Sequence, residues 1–251
     1  QDKEAYGRIV HLQPMQWKDN WPVIGEDSDG DGVGKPVIKF KSPLIVGMAS
    51  LFEMQESDEF NTTALGLQWQ WHANPKEGWA FPYPQKGVVR MNALLDSVDN
   101  LWQLPNLLLQ KLSAEKFTAT VKFLFTPKTT GERFGFVMMG SSYAYLSVVK
   151  KSDGLFLVYN NCTDADKVSE DEEKVITALN SGDAYFRITV NAGAQCSFSY
   201  SNDGIRFTML EEKFTAKPGR WIGAKLGFFC SRKVKTNDAG FADIDWLRIE
   251  K

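Results

Sequence analysis

Apolar and polar residues alternate in short runs along most of this chain. Phe117 to Thr126, Phe134 to Gly140, Tyr145 to Lys150, Leu155 to Asn160, Ala184 to Val190 and Gln195 to Ser201 either repeat with period two or are dense in β-branched and aromatic types. That is the signature of half-buried or fully buried strands. Arg8 to Leu12, Gly87 to Asn92 and Ala224 to Cys230 have the same character. Between runs, Asp153-Gly154, Asn202-Asp203-Gly204 and Pro218-Gly219 supply a positive or preset φ for tight reversal. The pattern predicts an all-β sandwich. Ser169 to Lys174 is short, charged and polar, and is expected to be a surface loop rather than a helix.

Residues 15 to 56 break the pattern. They are rich in Gly, Pro and Asp at first and then apolar without a clear period, as expected of a segment that leaves one domain and crosses to the next. The boundary is placed near residue 55, with a domain end and linker over 1–55 and a sandwich domain over 56–251. No internal repeat is visible.

Composition acts by exclusion. The chain carries 29 basic and 31 acidic residues for a net charge of -2, with no like-charge block that would draw it to nucleic acid or anionic lipid. A neutral glycan partner fits that balance. The longest apolar runs, such as Leu226 to Cys230, fall far short of the roughly 20 residues that span a bilayer, so neither nucleic acid nor membrane is an expected partner. Cys162, Cys196 and Cys230 are widely spaced and match no zinc pattern. Buried free thiols are the expectation, with one disulfide as the alternative. His11 and His72 are too few and too far apart for a metal cluster or a catalytic triad.

Four stretches, in order, carry a resemblance: Ser57-Asp-Glu-Phe-Asn-Thr-Thr63, Trp69-Gln-Trp-His72, Trp221-Ile-Gly-Ala-Lys-Leu-Gly-Phe-Phe-Cys230 and Phe241-Ala-Asp-Ile-Asp-Trp246. They resemble the C-terminal β-sandwich that follows the five-bladed propeller in many glycoside hydrolase family 43 enzymes, the β-xylosidases and α-L-arabinofuranosidases. Tyr6-Gly-Arg-Ile-Val-His-Leu-Gln-Pro14 and Asn20-Trp-Pro-Val-Ile-Gly25 resemble the end of that propeller. The resemblance implies a concanavalin-A-like sandwich (jelly roll) preceded by a propeller remnant. It also implies the back half of an enzyme on xylan or arabinoxylan, with a xylo- or arabino-oligosaccharide and the missing propeller as partners. No secretory signal opens the chain. The parent protein is nonetheless expected to be periplasmic or secreted.

Glycosidase chemistry needs two carboxyl groups flanking the scissile bond. In the family, an Asp base, a Glu acid and a second Asp lie on earlier blades. No acidic residue here falls in a matching motif, so no catalytic residue is assigned, and the isolated chain is expected to be inert. Gly7-Arg8 matches the last-blade motif, which implies that Arg8 reaches the sugar pocket, where a fixed planar guanidinium suits hydroxyl recognition. Trp221 stands where the resemblance implies an aromatic residue crossing the domain interface to wall off one side of that pocket. Read without the family, Arg8 is an edge-strand surface residue and Trp221 equally a packing residue.

The remaining candidates come from the residues. Trp69, Trp71, Trp79, Phe81 and Tyr83 form an aromatic cluster. Trp69 and Trp71, two apart, are expected as a core pair, leaving Trp79 and Tyr83 as the candidates for contact with ligand or propeller. Asp27-Ser-Asp-Gly-Asp-Gly32 resembles the first half of a calcium loop, but Ile38 stands where an EF-hand needs a bidentate Glu. A partial Ca2+ site of Asp27, Asp29 and Asp31 stays open against a plain acidic turn; no other cofactor is implied. Asp243 and Asp245 alternate on a C-terminal strand, which puts both on one face; the resemblance implies structural markers, and the residues alone fit capping or pairing groups equally. Two rival functions remain: an autonomous carbohydrate-binding module, and a structural domain that never touches sugar.

Overall fold

The computed structural model describes residues 2–41, 54–167 and 169–251. Two antiparallel sheets dominate it. The first runs in the order β12 (Glu172–Leu179), β11 (Gly154–Cys162), β10 (Tyr143–Lys151), β9 (Arg133–Met139), β16 (Lys225–Arg232), β7 (Leu108–Lys111) and β3 (Gln70–Trp71), with β6 (Leu94–Leu95) parallel to β16. The second runs β15 (Thr208–Thr215), β14 (Gln195–Ser201), β13 (Asp183–Asn191), β8 (Phe117–Thr126), β17 (Phe241–Glu250), β5 (Val88–Asn92) and β4 (Ala80–Tyr83).

The period-two pattern decides which side chains meet between the sheets. In β8, Phe117, Ala119, Val121, Phe123 and Phe125 enter the core. From the first sheet, β9 contributes Phe134 and Phe136, and β16 contributes Leu226, Phe228 and Cys230. Phe123 touches Phe134 of the opposite sheet at 4.6 Å between ring centres and Phe186 at 4.8 Å. Each ring withdrawn from water contributes about 1.5–3 kcal/mol, so this aromatic layer is a main source of stability.

The Ser57 to Phe60 and Trp69 stretches form one locking unit. Asp58 exchanges two backbone hydrogen bonds of 2.8 Å with Leu247 on β17. Its carboxylate accepts from the Phe60 amide at 2.9 Å, the Trp69 indole at 2.8 Å and Gln68 at 3.1 Å. Trp69 then packs on Phe60 and on Phe228 of β16. A buried carboxylate thus ties the entry of the domain to both sheets.

The first sheet also carries apolar residues on its outer face. Val137, Met139, Tyr143, Tyr145 and Phe229 are roofed by Leu101, Leu104 and Leu107 of a loop that folds back across the strands. Asn100 fixes that roof, accepting from the Trp102 amide at 3.1 Å and donating to Ala165 at 3.0 Å and Ser169 at 2.9 Å. All three cysteines are buried and free, and burial pushes the Cys196 thiol up to about 12.

The chain divides into two compact units, Ile9–Glu53 and Asp2–Arg8 with Met54–Lys251. In the first unit, residues expected to be an irregular linker include a hairpin of β1 (Met15–Lys18) and β2 (Trp21–Ile24). Its turn residues Asp19 and Asn20 sit at φ 51 and 62, the left-handed pair that matches strand twist. The part of the linker between residues 42 and 53 lies outside the described residues. Among the described residues Arg8 to Leu12 forms no strand, and Arg8 makes an isolated bridge to Asp2. Part of the charged loop expected at Ser169 to Lys174 instead begins strand β12. It pairs with β11 at the sheet edge, where charges guard against further pairing.

Candidate functional site

Residues Asp2–Arg8 lie along the segment Gly219 to Ala224, and two glycines permit the approach. The Ala224 amide donates to the Ala5 carbonyl at 2.6 Å. A Cβ on Gly223 would stand 2.5 Å from the Gly7 nitrogen and 2.6 Å from the Ala5 carbonyl oxygen. Gly7 itself has φ +86. Tyr6 anchors the segment by donating to Glu115 at 3.1 Å and accepting from the Ala194 amide at 2.9 Å. Gly7 and Gly223 thus make a backbone-to-backbone seam that any side chain would open.

That seam brings together two residues 213 positions apart, Arg8 and Trp221. The Arg8 guanidinium carbon lies 5.4 Å from the centre of the Trp221 ring. Trp221 is 75% exposed and held at φ +67, a conformation that costs a residue with a side chain about 1–2 kcal/mol. An exposed, strained tryptophan is not explained by packing; it presents a flat apolar face with a planar cation beside it. Neighbouring Ile222 is also exposed. Such a face can stack on a sugar ring while the guanidinium donates to hydroxyls.

Behind the same loop is a cavity of about 170 Å3 bordered by His72, Trp102, Met139, Arg220, Ile222 and Lys225. His72 donates a 2.9 Å hydrogen bond from Nε2 to the Trp102 carbonyl. Burial, above all, lowers its pKa.

Residues 57–250 match the family described as the beta xylosidase C-terminal Concanavalin A-like domain, GH43_C2. The chain belongs to this family. A beta-xylosidase of Formosa agariphila is 29% identical over 97% of this chain and 43% of its own length. A non-reducing end alpha-L-arabinofuranosidase of Bacteroides ovatus is 23% identical over 96% of this chain and 44% of its own. The chain therefore spans less than half of each. Among solved structures, a bifunctional GH43-CE protein of Bacteroides eggerthii superposes with TM-score 0.74 at 24% identity, over 99% of this chain and 31% of that one. The GH43 protein BlXynB of Bacillus licheniformis gives 0.69 at 21% identity, over 97% and 47%. These likenesses establish the sandwich fold of a GH43 C-terminal domain.

Within this GH43_C2 domain the other candidates fare unevenly. Trp79, a candidate for contact with ligand or propeller, is only 6% exposed and meets Trp71 edge-on at 5.3 Å. Its ring is used in packing and offers no exposed platform. Tyr83 is half-buried, with Lys86 at 5.2 Å and Arg90 at 5.8 Å from its ring centre, so cations already occupy its faces. Arg90 itself makes two 2.6 Å bonds to Asp243. Asp245, the extra residue at a β-bulge opposite β8, pairs with Lys122 at 2.5 Å.

Asp27, Asp29 and Asp31 do converge, their oxygens lying within 4.8 Å of one another. Lys18 bonds Asp27 at 3.0 Å and Lys35 bonds Asp29, while the second Asp27 oxygen has no partner. His11 is exposed. Sequence reasoning missed a polar cluster on the outer face of the first sheet, where Asp171 accepts from Tyr143 and Tyr145 and Arg133 bridges Tyr145 and Glu173. The tyrosines two apart on β10 were its only signal.

Proposed function

We propose that this chain is the C-terminal part of a glycoside hydrolase acting on xylan- or arabinoxylan-type polysaccharide. In that protein it shapes one side of the substrate pocket and braces the catalytic domain. The observation that carries the reading is the exposed Trp221 ring, strained at φ +67 and flanked by Arg8. The ring would stack on a xylose or arabinose unit and exclude water, and Arg8 would hold its hydroxyls. The names of the relatives, a beta-xylosidase and an alpha-L-arabinofuranosidase, support that substrate class. The hairpin β1–β2 would belong to the closing part of the preceding propeller. The chemistry would come from carboxylates of that propeller, so the chain alone is inert.

The carboxylate oxygens of Asp27, Asp29 and Asp31 suit a hard cation such as Ca2+, and the unpartnered Asp27 oxygen leaves a ligand position open. Calcium there would brace the segment after the hairpin and take no part in bond cleavage.

The deciding experiment compares hydrolysis of aryl xyloside and aryl arabinofuranoside by the pure chain and by the longer protein it extends. The chain should show no turnover and the longer protein robust turnover. Hydrolysis by the chain itself, abolished by changing one of its own Asp or Glu residues, would overturn the reading.

A further inference from the structure

Lys225 opens β16 on the outer face of the first sheet and is 8% exposed. Among the described residues no carboxylate or carbonyl pairs with its ammonium. Its charged surroundings are positive. Lys111 stands opposite it on β7; burial first, and then this like charge, push its pKa down. His72, across the cavity, is held toward its neutral form mainly by burial, with Lys225 adding to the effect. Arg220 is exposed in the same lining. A cation largely shielded from water without a counter-charge is unfavourable, and the unfavourable term is relieved when an anion enters.

The cavity narrows the choice of anion. At about 170 Å3 it lies below the roughly 300 Å3 at which drug-sized ligands are enclosed, so it admits one small group. Trp102, Leu109, Met139 and Ile222 make much of its lining apolar. Phosphate sites favour helix N-termini, backbone nests or several fixed cations, and this cavity has one ammonium from a largely buried lysine. We infer that the cavity binds a carboxylate, with Lys225 as its anchor. The carboxylate would come from a uronic acid residue on the glycan, its ring lying along the apolar wall, or from an acidic side chain elsewhere in the same protein. Only the uronate source rests on the carbohydrate reading given above.

The test is a titration of the whole chain, labelled at lysine Nζ for NMR, with sodium glucuronate, sodium acetate and neutral xylose. The Lys225 resonance should move saturably with glucuronate and not with xylose. The shift should weaken as salt is raised. K225M, checked for folding by circular dichroism, should bind at least tenfold more weakly. Glucuronate tenfold tighter than acetate identifies a sugar ligand, and equal binding identifies an acidic side chain. An unmoved Lys225 resonance in the wild-type chain, or full binding by K225M, overturns the proposal. Neither readout involves hydrolysis, so failure here is separate from failure of the Arg8 and Trp221 reading.

Discussion

The guanidinium of Arg8 lies 5.4 Å from the centre of the Trp221 ring, although Trp221 is three-quarters exposed. In the longer glycoside hydrolase proposed above, Trp221→Ala should lower kcat/KM about tenfold or somewhat more, taking a stacking contribution of about 1–3 kcal/mol by analogy with base stacking. Arg8→Ala should cost at least as much, since hydrogen bonds from a charged donor are worth about 1.5–3 kcal/mol each. In the chain itself Trp221→Ala should change stability by no more than about 0.5 kcal/mol. Lys39→Ala, on an exposed residue, should leave kinetics unaltered. Intact kinetics together with a clear drop in melting temperature for Trp221→Ala would make the ring a packing residue.

Gly223→Ala should open the seam. Its new methyl would meet three backbone atoms at 2.5–2.8 Å, and overpacking of this kind costs about 1–3 kcal/mol. Gly7→Ala meets the Gly223 nitrogen only at 3.1 Å. Its main penalty is the left-handed φ, so it should destabilise less. Urea denaturation orders the two variants, and equal midpoints to wild type would show that the segment is not seated as described.

Removing the Asp58 carboxylate should unlock the domain entry. Asp58→Ala strands the Trp69 indole and the Phe60 amide, with an expected loss of about 1.5–3 kcal/mol per charge-assisted bond. Trp69→Phe keeps most of the ring and loses only the indole donor, so it should cost less. Thermal melting followed by tryptophan fluorescence separates them; a wild-type melt for Asp58→Ala would refute the lock.

Acid should unpick the turn at Asp203. The backbone amides of Arg206 and Ile205 and the Ser201 hydroxyl donate to its carboxylate and hold its pKa well below the usual carboxylate range. A lowered folded pKa means stability that is present above the unfolded value and lost as pH falls toward the folded one. The melting gap between wild type and Asp203→Asn should therefore be constant near neutrality and shrink below about pH 4. A gap that does not respond to acid would show that charge plays no part in this turn.

Calcium should raise the melting temperature, and chelator should reverse the rise, if the three aspartates hold the ion. Affinity should be weak, about 10⁻⁴–10⁻³ M as in extracellular modules, because Lys18 and Lys35 compete for the same oxygens. Lys35→Met should tighten binding and Asp29→Asn should abolish it. Identical melting with calcium and with chelator would dispose of the site.

Strand content, the sandwich class and several strand spans, Phe117–Thr126 and Gln195–Ser201 among them, were legible in the sequence. Period-two alternation and turn residues are local properties, and burial between two sheets is the simplest way to satisfy them. The spaced motifs likewise carried the family. What tertiary structure alone decided was pairing. Trp79 and Trp221 are alike in sequence, each a tryptophan in a turn-rich stretch, yet one is buried and the other stands in solvent. The difference lies in Trp71 for the first and in the Gly7–Gly223 seam for the second, partners distant from the chemistry each was assigned. Lys225 offered no sign in the sequence, since one basic residue among apolar neighbours looks the same whether its ammonium reaches water or ends in a cavity. Burial of a charge is set by which loops close over it, and those loops come from 70, 102, and 220 residues into the chain, beyond the reach of any local pattern.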